Sequence, residues 1–301
     1  MHIPQAMLQG TVCPVTAVLG AGVIAAAVVG VLKEKGPGRC TPMNFALVSA
    51  LVFAAQMLNF PVAGGTSGHL LGGVLAVSLL GLPHGVLALA LTVSLQCLFF
   101  ADGGLDMLGA NILNMAGIGA GIGGLLLYLS RHYRIHRYAA LFIAAWCSVV
   151  LASLAVAVEL AAAGTIPLGR VLPAMVGIHM LIGLGEGAIT VAAAAFITLP
   201  EAQEAQSSRK ALLICLAAAA LLSPFACGFP DGLEWVAEQL GFMKEAAPMF
   251  AAPMPDYAIP ALSAGLASQW LAATVGIAIT FAIAAAVAML LRRKATVGDS
   301  V

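Results

Sequence analysis

Long apolar runs separated by short polar breaks dominate the chain. Nine can be marked, at roughly 13–32, 43–60, 69–81, 84–101, 106–129, 138–163, 171–198, 211–228 and 266–291. Most approach or exceed the ~20 residues that a helix needs to cross a bilayer. The third run is short and Pro83 follows it. A proline removes a helical hydrogen bond and crowds the preceding turn, so 69–101 is expected to be a broken pair of helices rather than one rod. The pattern predicts an all-α polytopic membrane protein with nine crossings. Runs one to seven form a continuous block with short loops, residues 1–199. The linker Pro200 to Ser208, with Glu201 and Glu204, opens a second module, residues 200–301. That module holds two further membrane helices around a polar, proline-bearing loop, Gly228 to Tyr257, with Asp231, Glu234, Glu238, Glu245 and Asp256.

Composition supports this class: 61% of the 301 residues are hydrophobic, 9% are charged, and mean hydropathy is +1.03. The 33 glycines suit closely approaching membrane helices. A formal net charge of zero argues against nucleic acid as a partner. Basic residues then give orientation. Lys33, Lys35 and Arg39 follow run one, Arg131, Arg134 and Arg137 run five, Arg209 and Lys210 run seven, and Arg292, Arg293 and Lys294 run nine. Of the 13 basic residues only Arg170 and Lys244 fall on the other side. The positive-inside rule places the N-terminus outside and the C-terminus in the cytoplasm. No basic region or cleavage site precedes run one, so no signal peptide is expected. The six cysteines form no Cys-x-x-Cys pair and read as small packing residues.

Chemistry concentrates in three places. The chain starts Met1-His2-Ile3-Pro4. An α-amine, the His2 amide nitrogen and His2 Nδ1 can close adjacent five- and six-membered rings on one metal ion, leaving a fourth position open. That pattern suits Ni²⁺ or Cu²⁺ in a square-planar field. The richest polar island, Pro61 to Gly73, contains Gly64-Gly65-Thr66-Ser67-Gly68-His69 and falls on the same side as Met1 and His2. His69 is a candidate fourth ligand, the alternative being an interfacial histidine bonded to a loop carbonyl. Gln56, Thr66 and Ser67 are candidates for orienting imidazoles or binding the amide region. In the island Phe100 to Asp106, Asp102 either orients a ligand histidine or caps the next helix, with capping the commoner use of such a residue. Asn111 and Asn114 sit on adjacent turns and need hydrogen-bond partners. Glu159, His179 and Glu186 lie inside apolar runs and must be paired there, with a proton relay or second metal site as alternatives to a plain hydrogen-bond network. His84, His132 and His136 fall on the cytoplasmic side. No Walker A sequence, His-Glu-x-x-His motif or nucleophile elbow is present, so any ATP hydrolysis must come from partner subunits.

Several stretches together resemble the CbiM/NikM family, the substrate-specific components of nickel/cobalt energy-coupling factor (ECF) transporters. They are Met1-His2-Ile3-Pro4, Phe60-Pro61-Val62, Gly65-Thr66-Ser67-Gly68-His69-Leu70-Leu71-Gly72, Phe100-Ala101-Asp102-Gly103-Gly104, and Leu108-Gly109-Ala110-Asn111 followed by Asn114-Met115. The resemblance implies a seven-helix core and a metal site formed by Met1, His2 and His69. It also implies partners, namely a transmembrane coupling subunit and two ATPase subunits, with transported Ni²⁺ or Co²⁺ and no catalytic cofactor. The setting implied is a prokaryotic cytoplasmic membrane. Pro230-Asp231-Gly232-Leu233-Glu234-Trp235 and Pro255-Asp256-Tyr257 resemble the PDGLE-type small component, which accounts for the last two helices. One departure stands out: family members continue Met-His-Ile-Pro with Asp-Gly-Phe-Leu, whereas this chain has Gln5-Ala6-Met7-Leu8. Nickel is expected over cobalt, because Ni²⁺ gains most from a planar set that includes an ionised amide. Cobalt uptake for cobalamin synthesis is the alternative, and a metal-dependent membrane enzyme or a passive structural protein accounts for less.

Overall fold

The computed structural model describes residues 1–34, 40–197, 205–244, 249–262 and 265–298. Lys35, Arg39, Glu201, Glu204, Glu245 and the expected module boundary at 199 lie outside the described residues. The first block contains α1 (Val12–Lys33), α2 (Pro42–Gln56), α3 (Gly73–Leu80) and α4 (Leu82–Phe100). Next comes one long rod made of α5 (Leu108–Asn111), a π-helical stretch (Ile112–Ile122) and α6 (Gly123–His132). Then follow α7 (Arg137–Ala162) and α8 (Leu168–Ile197). The second module supplies α9 (Ala205–Leu222), α10 (Gly232–Leu240) and α11 (Leu266–Gly298).

Among the described residues, 6 helices are long and apolar enough to cross a membrane: Val12–Lys33, Leu82–Phe100, Leu108–His132, Arg137–Ala162, Leu168–Ile197 and Leu266–Lys294. Six of the nine expected crossings are thus present as full-length spans, and Pro42–Gln56 and Leu212–Leu222 are shorter apolar helices. The second run ends early because the chain leaves α2 at Gln56 for a small hairpin, β1 (Phe60–Pro61) paired antiparallel with β2 (Ser67–Gly68). The eighth run is matched by only Leu212–Leu222 as an apolar helix. The third run yields α3, whose eight residues span about 12 Å.

Pro83 acts at a helix start. It sits in the first turn of α4, where its missing N–H costs nothing, and Gly81 before it has φ 86°, a left-handed value that favours glycine. The chain doubles back at Gly81, so that a Cβ at Gly85 would lie 2.7 Å from Val77 Cα. Residues 69–101 therefore form a folded-back pair, as the broken-pair reading expects.

Small residues set the closest helix approaches. A Cβ at Gly20 of α1 would lie 2.6 Å from the Gly109 carbonyl oxygen, and one at Gly73 would lie 2.8 Å from the Ala120 backbone nitrogen. These contacts bring α1 against α5 and α3 against the π-helical stretch, as small-residue membrane packing does. The start of the chain is drawn into one end of this bundle, with Ile3 and Met7 at 0% exposure. The second module folds back over that same end. The Tyr257 ring stacks on Phe100 at 4.7 Å, and α11 presents Gly276 where the Phe53 and Phe100 rings approach.

Candidate metal centre

Three loops and the fused module converge at the buried end of the bundle. Residues 1–4 form a strap that turns at Gln5 and Ala6, where Ala6 has φ 63°. Asn111 Oδ1 accepts the Ile3 N–H at 2.7 Å and Asn111 Nδ2 donates to the Ile3 carbonyl at 3.3 Å. The Gly104 N–H also reaches the Ile3 carbonyl at 3.0 Å, and Thr165 Oγ1 donates to the Met7 carbonyl at 2.6 Å. Gly103 adopts φ 85°, which lets the Phe100 to Asp106 island turn tightly beneath the strap. Asp106 Oδ2 accepts the Ala6 N–H at 3.3 Å.

The loop carrying His69 is fixed from behind. Glu186, fully buried in α8, accepts the Leu71 N–H at 2.6 Å and the Gly72 N–H at 2.9 Å. Gln56 Nε2 donates to the Leu71 carbonyl at 2.8 Å. Gly72 has φ 76°, so the chain enters α3 through a conformation that a side chain would strain. His69 Nδ1 faces the Leu70 carbonyl at 3.1 Å and donates to it, which leaves Nε2 with its lone pair. Nε2 is directed at the Met1 amine, to which it is hydrogen-bonded. Burial, followed by the neighbouring Met1 ammonium and His2, holds His69 down at about 3, so the imidazole is neutral.

His2 is also buried, and its ring stacks on that of His69 with centroids 5.7 Å apart and planes at 15°. Its Nδ1 lies 3.1 Å from Asp102 Oδ1 and its Nε2 lies 3.1 Å from Gln96 Oε1. Burial lowers its proton affinity, with Asp102 opposing. Asp102 holds His2 rather than capping the next helix, whose N-cap has no side-chain hydrogen bond, and it also accepts the Tyr257 hydroxyl at 2.5 Å. Burial and Asp102 together raise the Tyr257 phenol well above its usual range, so it donates as a neutral group.

The unexpected participant is Asp231. It is the N-cap of α10, with Oδ1 accepting the Leu233 and Glu234 N–H groups at 2.8 and 2.9 Å while Glu234 returns a bond to the Asp231 N–H at 3.1 Å. Its other oxygen, Oδ2, pairs with the Met1 amine at 2.8 Å and lies 4.0 Å from His69 Nε2. Burial works to raise Asp231, but the Met1 charge and His69 outweigh it and hold the carboxyl well below the usual carboxylate range. Thr66 and Ser67 border the site, yet their hydroxyls serve the second module. Thr66 Oγ1 donates to the Pro230 carbonyl at 3.1 Å and Ser67 Oγ to the Phe229 carbonyl at 2.8 Å. They hold the tail rather than an imidazole, because the chain at 229–231 runs beside β2 and captures their donors.

The structure therefore brings Met1, His2, His69, Asp102 and Asn111 together, with Thr66 and Ser67 in the hairpin beside the site and Gln56 at the end of α2 bracing the His69 loop. His84 sits elsewhere, 3.3 Å from Glu34, while His132 and His136 are exposed. Glu159 accepts from Asn114 Nδ2 at 2.7 Å. Glu186 and His179 do not pair with each other: His179 Nδ1 donates to the Met175 carbonyl at 2.7 Å. Among the described residues His179 Nε2 has no hydrogen-bond partner, and His179 borders a small cavity of about 20 Å³ shared with Met1, His69 and Asp231. Sequence reasoning missed Asp231 and Gln96 as site residues. The signal for Gln96 was a lone amide within an apolar run, and that for Asp231 was the Asp-x-x-Glu capping pattern, which locates a helix start without naming its neighbour.

A cleft of about 880 Å³, lined by His2, His69, Asp102, Asp231 and Tyr257, opens onto this cluster. No three His, Cys, Asp or Glu side chains converge as a conventional metal cluster among the described residues. The nitrogen donors gathered here are instead two imidazoles, the chain-terminal amine and the backbone amide between them.

Comparisons with known proteins give the chain's family. Residues 2–204 match the family model described as CbiM, cobalt uptake substrate-specific transmembrane region, and residues 209–293 match the PDGLE domain. A protein of Archaeoglobus fulgidus named as a fused nickel transport protein, NikMN, is 36% identical over 295 residues, 94% of this chain and 96% of that protein. A protein of Haloquadratum walsbyi named as a metal transport protein is 40% identical over 199 residues, covering 65% of this chain and 89% of its own. The crystal structure titled as a transition metal transporter superposes with TM-score 0.59 at 27% identity, covering 71% of this chain and 99% of that one. The family match over residues 2–204, the PDGLE match behind it and the 36% identity along nearly the whole chain identify the chain as a member of the CbiM/NikM family of substrate-specific membrane components of nickel/cobalt ECF-type transporters, fused to a PDGLE domain.

Proposed function

We propose that the chain captures Ni²⁺ at the Met1, His2 and His69 cluster and hands it across the membrane, with ATP hydrolysed by partner subunits. One observation carries this reading. The Met1 amine and the His69 lone pair, 68 positions apart in sequence, face each other at hydrogen-bond range beside the stacked His2 ring. A cation placed between them displaces a proton from the amine and one from the His2 amide. His2 Nδ1 then exchanges Asp102 for the metal, completing four nitrogens in a plane. Asp102 and Gln96 hold the ring where that exchange can occur, and Asn111 fixes the strap.

Several finer features belong to the same reading: seven crossings in the first module and two in the second, and the N-terminus outside and the C-terminus inside a prokaryotic cytoplasmic membrane. The partners are a transmembrane coupling subunit and two ATPases. The basic clusters support the orientation. Nickel is favoured over cobalt because an ionised amide in a planar field stabilises Ni²⁺ most, and the fused relative of Archaeoglobus fulgidus is named for nickel.

The test is X-ray absorption and calorimetry on purified full-length protein. It is expected to hold one Ni²⁺ with a diamagnetic, short-bond, all-nitrogen signature. His69→Ala, or an alanine inserted between Met1 and His2, is expected to abolish tight binding, while His132→Ala and His136→Ala leave it intact. Tight planar binding that survives the insertion would overturn the chelate.

A further inference from the structure

Four nitrogen donors of which one is an ionised amide leave a bound divalent ion with a single net positive charge. The surroundings are buried, with Met1 and His2 at 6% and 7% exposure, and an uncompensated charge there is costly. Asp231 of the fused module meets this requirement. Its Oδ2 lies 2.8 Å from the Met1 amine, and its Oδ1 is locked by two backbone N–H groups at the start of α10. The segment is anchored independently: the Ser67 N–H donates to the Pro230 carbonyl at 2.8 Å, and Trp235 Nε1 donates to the Gly64 carbonyl at 3.1 Å.

We propose that Asp231 is the built-in counter-ion of the metal site, contributed by the PDGLE module and hydrogen-bonded to the Met1 amine both before and after the metal binds. The proposal rests on the amine–amide–imidazole reading given above. In the empty site the carboxylate faces the ammonium. On loading, Ni²⁺ displaces one proton from the ammonium and one from the His2 amide, and both protons leave to water. The complex that remains carries the same single positive charge, so Asp231 faces an unchanged field and stays in place. The coordinated amine keeps two hydrogens, one of which donates to Oδ2. Geometry separates this role from ligation: Oδ2 is 2.8 Å from Met1 N but 4.0 Å from His69 Nε2, beside the amine rather than above both donors. The second module is then part of the capture site, and a carboxylate over 200 positions away in sequence sets the affinity of the N-terminal chelate.

The experiment compares full-length wild type with Asp231→Asn, Trp235→Phe and His69→Ala, using Ni²⁺ titration, X-ray absorption and hydrogen exchange at the Ser67 amide. Asparagine caps helices as well as aspartate does, so α10 keeps its start while the charge is lost. Asp231→Asn is expected to weaken Ni²⁺ binding by about 10–100-fold, the usual range for a group that orients a ligand. Its all-nitrogen spectrum stays unchanged and Ser67 remains protected. Trp235→Phe, which loosens the dock but keeps the carboxylate, is expected to bind as wild type. Wild-type affinity in Asp231→Asn would overturn the proposal, as would equal losses in both variants, which would make docking rather than charge the cause. A metal–oxygen bond present in wild type and absent in Asp231→Asn would overturn it in favour of direct ligation. Undiminished binding in His69→Ala would instead remove the chelate reading on which the proposal stands.

Discussion

Glu186 offers the sharpest test of how the bundle holds the loop that carries His69. Its two carboxylate oxygens accept the backbone N–H groups of Leu71 and Gly72 at 2.6 and 2.9 Å, directly after His69 and Leu70, and the side chain is fully buried. Glu186→Ala leaves two buried amides without acceptors, at about 1–3 kcal/mol each, for a loss on the order of 2–6 kcal/mol. Glu186→Gln keeps one acceptor oxygen and turns an NH₂ group toward the other amide, so about half of that penalty is expected. Where relaxation of the loop relieves the penalty, the cost moves from stability to binding, because His69 loses its orientation toward Met1. Each 1.4 kcal/mol so transferred weakens the dissociation constant about tenfold. Gln56→Ala removes the bond to the Leu71 carbonyl on the same loop, 2.8 Å long, and is expected to couple to Glu186→Ala rather than add to it. The assays are thermal unfolding in detergent without metal, and Ni²⁺ titration calorimetry. Glu186→Ala with wild-type melting and wild-type affinity would refute the argument that this carboxylate anchors the loop.

Two further outcomes follow from the orientation and from the charges. Cysteine-accessibility labelling is expected to find the loop from Lys33 to Arg39 in the cytoplasm and the loop from Gly228 to Tyr257 outside, and the reverse pattern would remove both the topology and the outward-facing site. For pH, His69 is held at about 3 in the fold against about 6.5 when free, so the unfolded chain alone takes up this proton in between. Stability of the metal-free protein is therefore expected to fall as pH drops from about 6.5 toward 3, with a slope of up to about 1.4 kcal/mol per pH unit from this residue. His69→Ala flattens that part of the profile, and an unchanged profile would mean that His69 is not buried as a neutral ring.

The features legible in the sequence were those that depend on near neighbours. Chelate spacing at Met1 and His2 is a covalent property of two adjacent residues. The glycine-rich approach to His69 announces a tight turn, and the apolar runs announce helices because burying a backbone in lipid demands internal hydrogen bonding. The pairing at 69–101 was readable because proline and glycine act on their own turn. Crossing number was less so: the apolar run at 43–60 includes the hairpin residue Phe60, and hydropathy does not distinguish a helix end from an apolar strand entering a turn.

Asp102 and Ser67 show where local reading stops. An aspartate before a helix is read as a cap and a serine beside a histidine as its support, yet each is claimed by a group brought from elsewhere in the chain: His2 for Asp102 and the Phe229 carbonyl for Ser67. By itself the sequence pointed to a polytopic membrane protein with nitrogen donors at Met1 and His2, joined to a second module with an acidic loop. Only the tertiary structure decided that Glu186 braces the loop after His69 and that Asp231 meets the Met1 amine. The physical reason is that a carboxylate in apolar surroundings must find donors or an opposite charge, and which it finds is set by the packing of helices that bring distant residues within 3 Å.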